Sequence, residues 1–208
     1  MSANRLERAM TALRARDGRG VAPYVTAGDG GYATTLAVLR ALEAAGATCI
    51  ELGLPFSDPI ADGPVLQAAA ERALRGGASF AGALELIRAF RSGADGGQPS
   101  ELPILVFSYA NLLLRRGWDE TARLVADAGG DGLLVPDVPI EEGGAMRRAA
   151  LAHGLAPIFF VAPTTSDERV RAAAEMSRGF LYAIGRFGVT GAHTELDDKA
   201  LAFLRRVR

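Results

Sequence analysis

The residues best equipped for chemistry lie in one stretch, Cys49-Ile-Glu-Leu-Gly-Leu-Pro-Phe-Ser-Asp-Pro-Ile-Ala-Asp-Gly-Pro-Val-Leu-Gln67. If its start is a strand, alternation puts Cys49, Glu51 and Gly53 on one face and Ile50 and Leu52 on the other. With Ile50 and Leu52 packed on helices, Glu51 points into a water-poor interior. Burial penalises the charged form, so its pKa should rise toward neutrality. A carboxyl of that kind can give and take a proton near pH 7. The competing reading is a structural glutamate paired with an arginine, and composition does not separate the two. The following loop holds Pro55, Pro59 and Pro64 with two carboxylates, Asp58 and Asp62. Prolines fix φ and stiffen the loop, so a carboxylate there can be placed at low entropic cost. Simple turn chemistry explains Asp58 better, and Asp62 is balanced between turn and function.

A second stretch, Gly179-Phe-Leu-Tyr-Ala-Ile-Gly-Arg-Phe-Gly-Val-Thr-Gly191, runs from a strand into a loop with glycines at 185, 188 and 191. Such loops suit phosphate contacts or a mobile cover, but no Gly-Lys-Ser/Thr follows and this is not a P-loop. Tyr182 would face inward by alternation, as a site residue or as an aromatic core filler.

Those stretches need strands and helices to hold them. Apolar runs at Val21–Thr26, Thr48–Gly53, Pro103–Ser108, Gly132–Pro136, Ala156–Val161 and Phe180–Ile184 read as strands. Between them, helical periodicity predicts Tyr32–Ala45, Ser79–Arg91, Trp118–Ala128, Glu141–His153 and Ser166–Met176, with Asp197–Arg206 last and one helix before the first strand. Leu36, Val38, Leu39, Leu42 and Ala45 should form one buried stripe. Ser166 with Asp167 and Glu168 reads as an N-cap and an acidic first turn. Strand–helix alternation requires a parallel sheet, either a barrel or an open doubly wound sheet. Polar residues after several strands (Asp29, Ser57, Asp58, Tyr109, Asn111, Asp137, Thr190) favour the barrel, whose active sites gather at the carboxyl ends of its strands. Six strands, not eight, predict a (β/α)8 TIM barrel truncated C-terminally to about six βα units, with an extra N-terminal helix. Residues 1–208 read as one partial barrel domain, and the polar Gly-rich segment Ser92–Ser100 as a surface insertion.

Composition narrows the function classes. The chain has 208 residues, 49% apolar, with a formal net charge of −1, which disfavours disorder and lacks the basic excess of a nucleic-acid or membrane-surface binder. One cysteine (Cys49) and two histidines (His153, His193) predict no internal disulfide and no metal site. The single lysine, Lys199, lies in a charged helical stretch, which argues against a Schiff base.

The run Glu51-Leu-Gly-Leu-Pro-Phe-Ser-Asp-Pro-Ile-Ala-Asp-Gly-Pro64 closely resembles the signature of the tryptophan synthase alpha subunit family. So do Tyr24-Val-Thr-Ala-Gly-Asp29, Ser108-Tyr-Ala-Asn111, Val135-Pro-Asp-Val-Pro-Ile-Glu-Glu142, Ala156-Pro-Ile-Phe159 and Arg186-Phe-Gly-Val-Thr-Gly191, in family order over essentially the whole chain. The resemblance implies a cytoplasmic (β/α)8 lyase of tryptophan biosynthesis that cleaves indole-3-glycerol phosphate to indole and glyceraldehyde 3-phosphate. It places the catalytic pair at Glu51 and Asp62, and Tyr182 beside the substrate. Tyr24, Phe107, Tyr109, Leu134 and Phe160 would hold the indole, and Thr190 and Gly191 would belong to a lid. Pro55, Asp58 and Asp137 would face a beta subunit in an alpha-beta-beta-alpha complex. No cofactor is implied for this chain; the PLP belongs to the beta partner. A second reading, for a barrel lacking the family's phosphate-binding last strands, is an impaired alpha-like module that only binds or modulates a beta subunit.

Overall fold

The computed structural model describes residues 3–94, 96–185 and 198–207. Five short strands, β1 (Tyr24–Thr26), β2 (Ile50–Gly53), β3 (Ile104–Phe107), β4 (Gly132–Leu134) and β5 (Ala156–Ile158), pair in parallel in sequence order. Two more, β6 (Phe160–Val161) and β7 (Tyr182–Ala183), form a second parallel pair. Helices α1 (Arg5–Ala15), α2 (Tyr32–Ala44), α3 (Pro64–Arg75), α4 (Phe80–Ser92), α5 (Ala110–Leu114), α6 (Trp118–Ala128), α7 (Gly144–Ala152), α8 (Asp167–Met176) and α9 (Asp198–Val207) complete the order. This is the curved sheet and helical shell of a TIM barrel.

Alternation divides the apolar residues into two clusters. Ile50, Leu52, Ile104, Val106 and Leu133 meet the helices in the larger one. Leu105, Leu134, Ala156, Ile158 and Cys49 face the interior in the smaller one, with Leu6 from α1. Helix α1 therefore plugs the amino-terminal end of the barrel. A capping box starts it, Asn4 accepting from the Glu7 N–H. The Asn4 amide also donates to the Asp131 and Gly154 carbonyls at 2.9 and 3.1 Å, tying the plug to the ends of β4 and β5.

That end also carries a buried ionic node. The Asp131 carboxylate accepts from Arg91 Nη2 at 2.6 Å and from the Ile104 N–H at 2.9 Å, and is ion-paired with Arg5 Nε at 2.9 Å. Arg91 further donates to the Gly129, Ser100 and Leu102 carbonyls. Burial pulls the Arg91 guanidinium down to about 10 and pushes the Asp131 carboxyl up against the pull of both arginines. Breaking such a node strands a charge. Asp131→Ala is expected to cost about 3–5 kcal/mol, read as a lower urea midpoint.

Ser166 caps α8 as expected, accepting from the Arg169 N–H, with Asp167 and Glu168 in the first turn. Four expectations change. All six strands are shorter than the apolar runs, and the run Ala156–Val161 divides at Phe159, whose side chain joins the helix-side core. Ala156–Ile158 pairs with β4 while Phe160–Val161 pairs with β7, so one extended run serves two pairings. Helix α3, absent from the sequence reading, buries only Ala69, Ala70 and Ala73 and exposes Val65 and Leu74. Alanines leave little amphipathic signal. On α2, Leu39 is buried and Leu36 and Leu42 are partly buried, but Val38 and Ala45 are exposed, because they lie off the 3.6-residue stripe.

Candidate active site

Glu51 sits mid-strand on β2, opposite Tyr24 of β1 and Leu105 of β3. The alternation read from sequence holds: the carboxylate is interior and only 5% exposed. Burial lifts its pKa to about 7, offset in part by the Tyr182 hydroxyl, which donates to Oε2 at 3.5 Å. No arginine is bonded to it among the described residues, so the structural ion-pair reading loses its partner.

Asp62 arrives from the loop between β2 and α3. The Leu54 N–H donates to the Phe107 carbonyl at 2.8 Å and anchors the loop's start to β3. At its far end the Asp62 N–H donates to the Pro59 carbonyl, and the Gln67 amide holds the Asp62 carbonyl at 2.9 Å. The side chain is buried at 9% exposure. Burial raises its pKa, while a hydrogen bond from the Tyr109 hydroxyl draws it back. Both carboxylates are thus pushed upward, Glu51 the further.

Tyr24 lies in the field of both acids. Burial, then Asp62 and more weakly Glu51, hold its phenol well above the ordinary range, while a hydrogen bond with Thr26 opposes them. Its ring crosses β2 where Gly53 leaves room; a Cβ there would overlap the Tyr24 hydroxyl and ring. Gly53→Ala is expected to displace that ring and destabilise the fold by about 1–3 kcal/mol, measured by chemical denaturation.

An arc of rings continues from Tyr24. Phe107 meets it edge-on at 5.5 Å, Phe160 meets Phe107 at 5.8 Å, and Tyr182 lies 4.6 Å from Phe160. Leu134, fully buried, joins the same interior cluster. Four strands thus present Tyr24, Phe107, Phe160 and Tyr182 around the Glu51 carboxylate, an apolar wall fit for a flat heterocycle. Burial, then the Glu51 charge, pushes the Tyr182 phenol up to about 12, so it remains a proton donor.

The remaining sequence-derived residues divide. Tyr109 is buried and turned to the Asp62 loop, where its hydroxyl receives the Ala61 N–H at 2.9 Å. Asp58 is exposed and accepts from the Ser57 hydroxyl. Asp137 is exposed and accepts from the Ala110 N–H at the start of α5 at 2.9 Å. Pro55 is buried. Thr190 and Gly191 lie outside the described residues. Asp29, one of the strand-end polar residues, is committed to a bidentate pair with Arg72 at 2.8 and 2.7 Å, which holds its carboxyl below the usual range. Phe56 and Thr26 are site neighbours that sequence reasoning missed. Thr26 had a signal, since it follows Tyr24 by two residues on one strand and shares its face. Among the described residues, no group of three or more His, Cys, Asp or Glu could hold a metal ion, and no helix is long and apolar enough to cross a membrane.

A family model described as tryptophan synthase alpha chain matches residues 10–208. The tryptophan synthase alpha chain of Trichormus variabilis is 43% identical, over 89% of this chain and 68% of its own length. Mycobacterium tuberculosis tryptophan synthase superposes with a TM-score of 0.85 at 36% identity, over all of this chain and 78% of that one. A Pyrococcus furiosus structure, described as showing mutual activation of the tryptophan synthase a2b2 complex, gives 0.82 at 37% identity, over 90% of this chain and 73% of its own. With the family model over residues 10–208 and relatives above 40% identity, the chain belongs to the tryptophan synthase alpha chain family.

Proposed function

We infer that this chain is the alpha component of tryptophan synthase, a carbon–carbon lyase that splits indole-3-glycerol phosphate into indole and glyceraldehyde 3-phosphate. The observation that carries the reading is Glu51: buried, beside a ring-lined wall, with a pKa of about 7.

The retro-aldol step needs one proton delivered and one removed. Glu51 as the acid protonates the indole C3, which makes the ring an electron sink. The resulting carboxylate then takes the proton of the glycerol hydroxyl attached to the cleaving carbon. The bond between C3 and that carbon breaks, its electron pair returns to the ring, and the hydroxyl carbon leaves as the aldehyde. Glu51 ends protonated, as it began, so no cofactor of this chain enters the balance. Positive charge develops at the ring nitrogen in between, and Asp62 as a carboxylate would accept its N–H and stabilise it. Tyr182 would hold Glu51 in place, while Tyr24, Phe107, Leu134 and Phe160 would enclose the indole. Thr190 and Gly191 would cover it.

For the partner, the family reading is a beta subunit that carries PLP and receives the indole. The exposed Asp58, the nearby Ile60 (78% exposed) and Val65 (71% exposed), and Asp137 support docking on the loop that bears Asp62. Pro55, beneath them, would act by fixing that loop. Residues 1–208 would act as one barrel domain in the cytoplasm. The test is release of indole from indole-3-glycerol phosphate, with and without the beta subunit. No release in either case would overturn the assignment.

A further inference from the structure

Tyr109 grips the loop that carries Asp62 at two points. The side chain lies just beyond β3 and is 3% exposed. Its ring stacks on Phe56, near the loop's start, at 5.3 Å between centroids and 24° between planes. Its hydroxyl spends both capacities at the loop's end, receiving the Ala61 N–H at 2.9 Å and donating to the Asp62 carboxylate. A phenol has one proton to donate, so none is left for a bound substrate. The backbone beside it is pinned in turn, because the Ala110 N–H donates to the Asp137 carboxylate. Two local turns, the Ile60 N–H to the Asp58 carbonyl and the Asp62 N–H to the Pro59 carbonyl, shape the loop here, and the Gln67 amide ties the Asp62 carbonyl to α3. The Tyr109 contacts are the ones that join this part of the loop to the segment following β3.

We propose that Tyr109 is the positioning residue for Asp62, clamping the loop through the Phe56 stack and the paired hydroxyl bonds so that the carboxylate faces the ring nitrogen. The role rests on the lyase reading given above. It stands beside the expectation that the Tyr109 ring lines the indole pocket, and it makes Asp137 the exposed end of a link to the catalytic loop.

The decisive variant is Tyr109→Phe, which keeps the ring and removes only the hydroxyl. A hydrogen bond to the ionised form favours it, so losing the bond must raise the Asp62 pKa. Among the described residues, the titratable groups facing Asp62 are Tyr109 and Tyr24; Asp137 acts on Tyr109, and Glu51 on Tyr24. Titration of 13C-labelled carboxyls, with the Asp62 signal assigned from Asp62→Asn, should show the midpoint of Asp62 moving upward in Tyr109→Phe. With that shift, kcat for indole release should fall about tenfold and KM should stay within about twofold, as for lost orientation and not lost binding. Phe56→Leu, which leaves the hydroxyl but removes the stack, should lower kcat in the same direction. An unmoved Asp62 midpoint overturns the proposal, as does a raised KM at unchanged kcat in Tyr109→Phe. If the unmodified chain releases no indole, the lyase reading fails while the titration still decides whether Tyr109 holds Asp62.

Discussion

Glu51→Gln is expected to lower indole release by about 10²–10⁴-fold, the range for loss of a positioned acid–base group. Glutamine preserves the shape of the side chain and can still accept from Tyr182, but it can neither deliver a proton to C3 nor remove one from the hydroxyl. The same substitution should stabilise the protein at alkaline pH. The folded pKa of about 7 lies above the ordinary 4.5. Between those values the folded state holds the proton more firmly, so stability conferred by this group is complete below about pH 4.5 and is lost as pH rises through 7. For a group this buried the difference corresponds to about 3 kcal/mol. Denaturant titrations should therefore find Glu51→Gln more stable than the parent at pH 8, with the advantage gone near pH 4. A variant with near-parental turnover would remove Glu51 from the mechanism. One with no pH-dependent gain would mean that the carboxyl is not desolvated as its position demands.

Asp62→Asn should be the second largest effect, a fall in kcat of about 10²–10³-fold, the size expected when one preorganised electrostatic partner of a developing charge is removed. Substrate binding should change little, because the ring contacts come from Tyr24, Phe107, Leu134 and Phe160 and charge appears at the ring nitrogen only as C3 is protonated. The expected signature is a kcat loss at near-constant KM. The pair also sets the pH profile of kcat/KM. Activity should fall above about pH 7, where Glu51 loses the proton it must deliver. It should also fall on the acid side as Asp62 becomes protonated, with that limb lying above the usual aspartate range because burial raises its pKa. In Asp62→Asn the acid limb should vanish while the alkaline limb stays. A KM increase without a kcat loss would make Asp62 a binding group, contrary to the role given it.

Sequence alone determined the features that depend on local repetition. The period of two along β2 sent Glu51 to the interior and Ile50 and Leu52 to the helices, because a pleated backbone allows no other outcome once one face is covered. The Ser166 cap and the barrel class were legible for the same reason, each being written within a few residues or repeated along the chain. The loop motif also exposed Asp62 as a candidate, but its surroundings were not readable. Tertiary structure decided that Asp62 is buried, that the Tyr109 hydroxyl meets the Asp62 loop through a bond spanning 48 residues, and that Pro55 lies beneath the loop surface. It also divided the run at Phe159 between two pairings and seated α3 on alanines. These outcomes follow from which side chains of distant segments compete for the same space and the same hydrogen-bond partners. No periodicity within one segment records that competition.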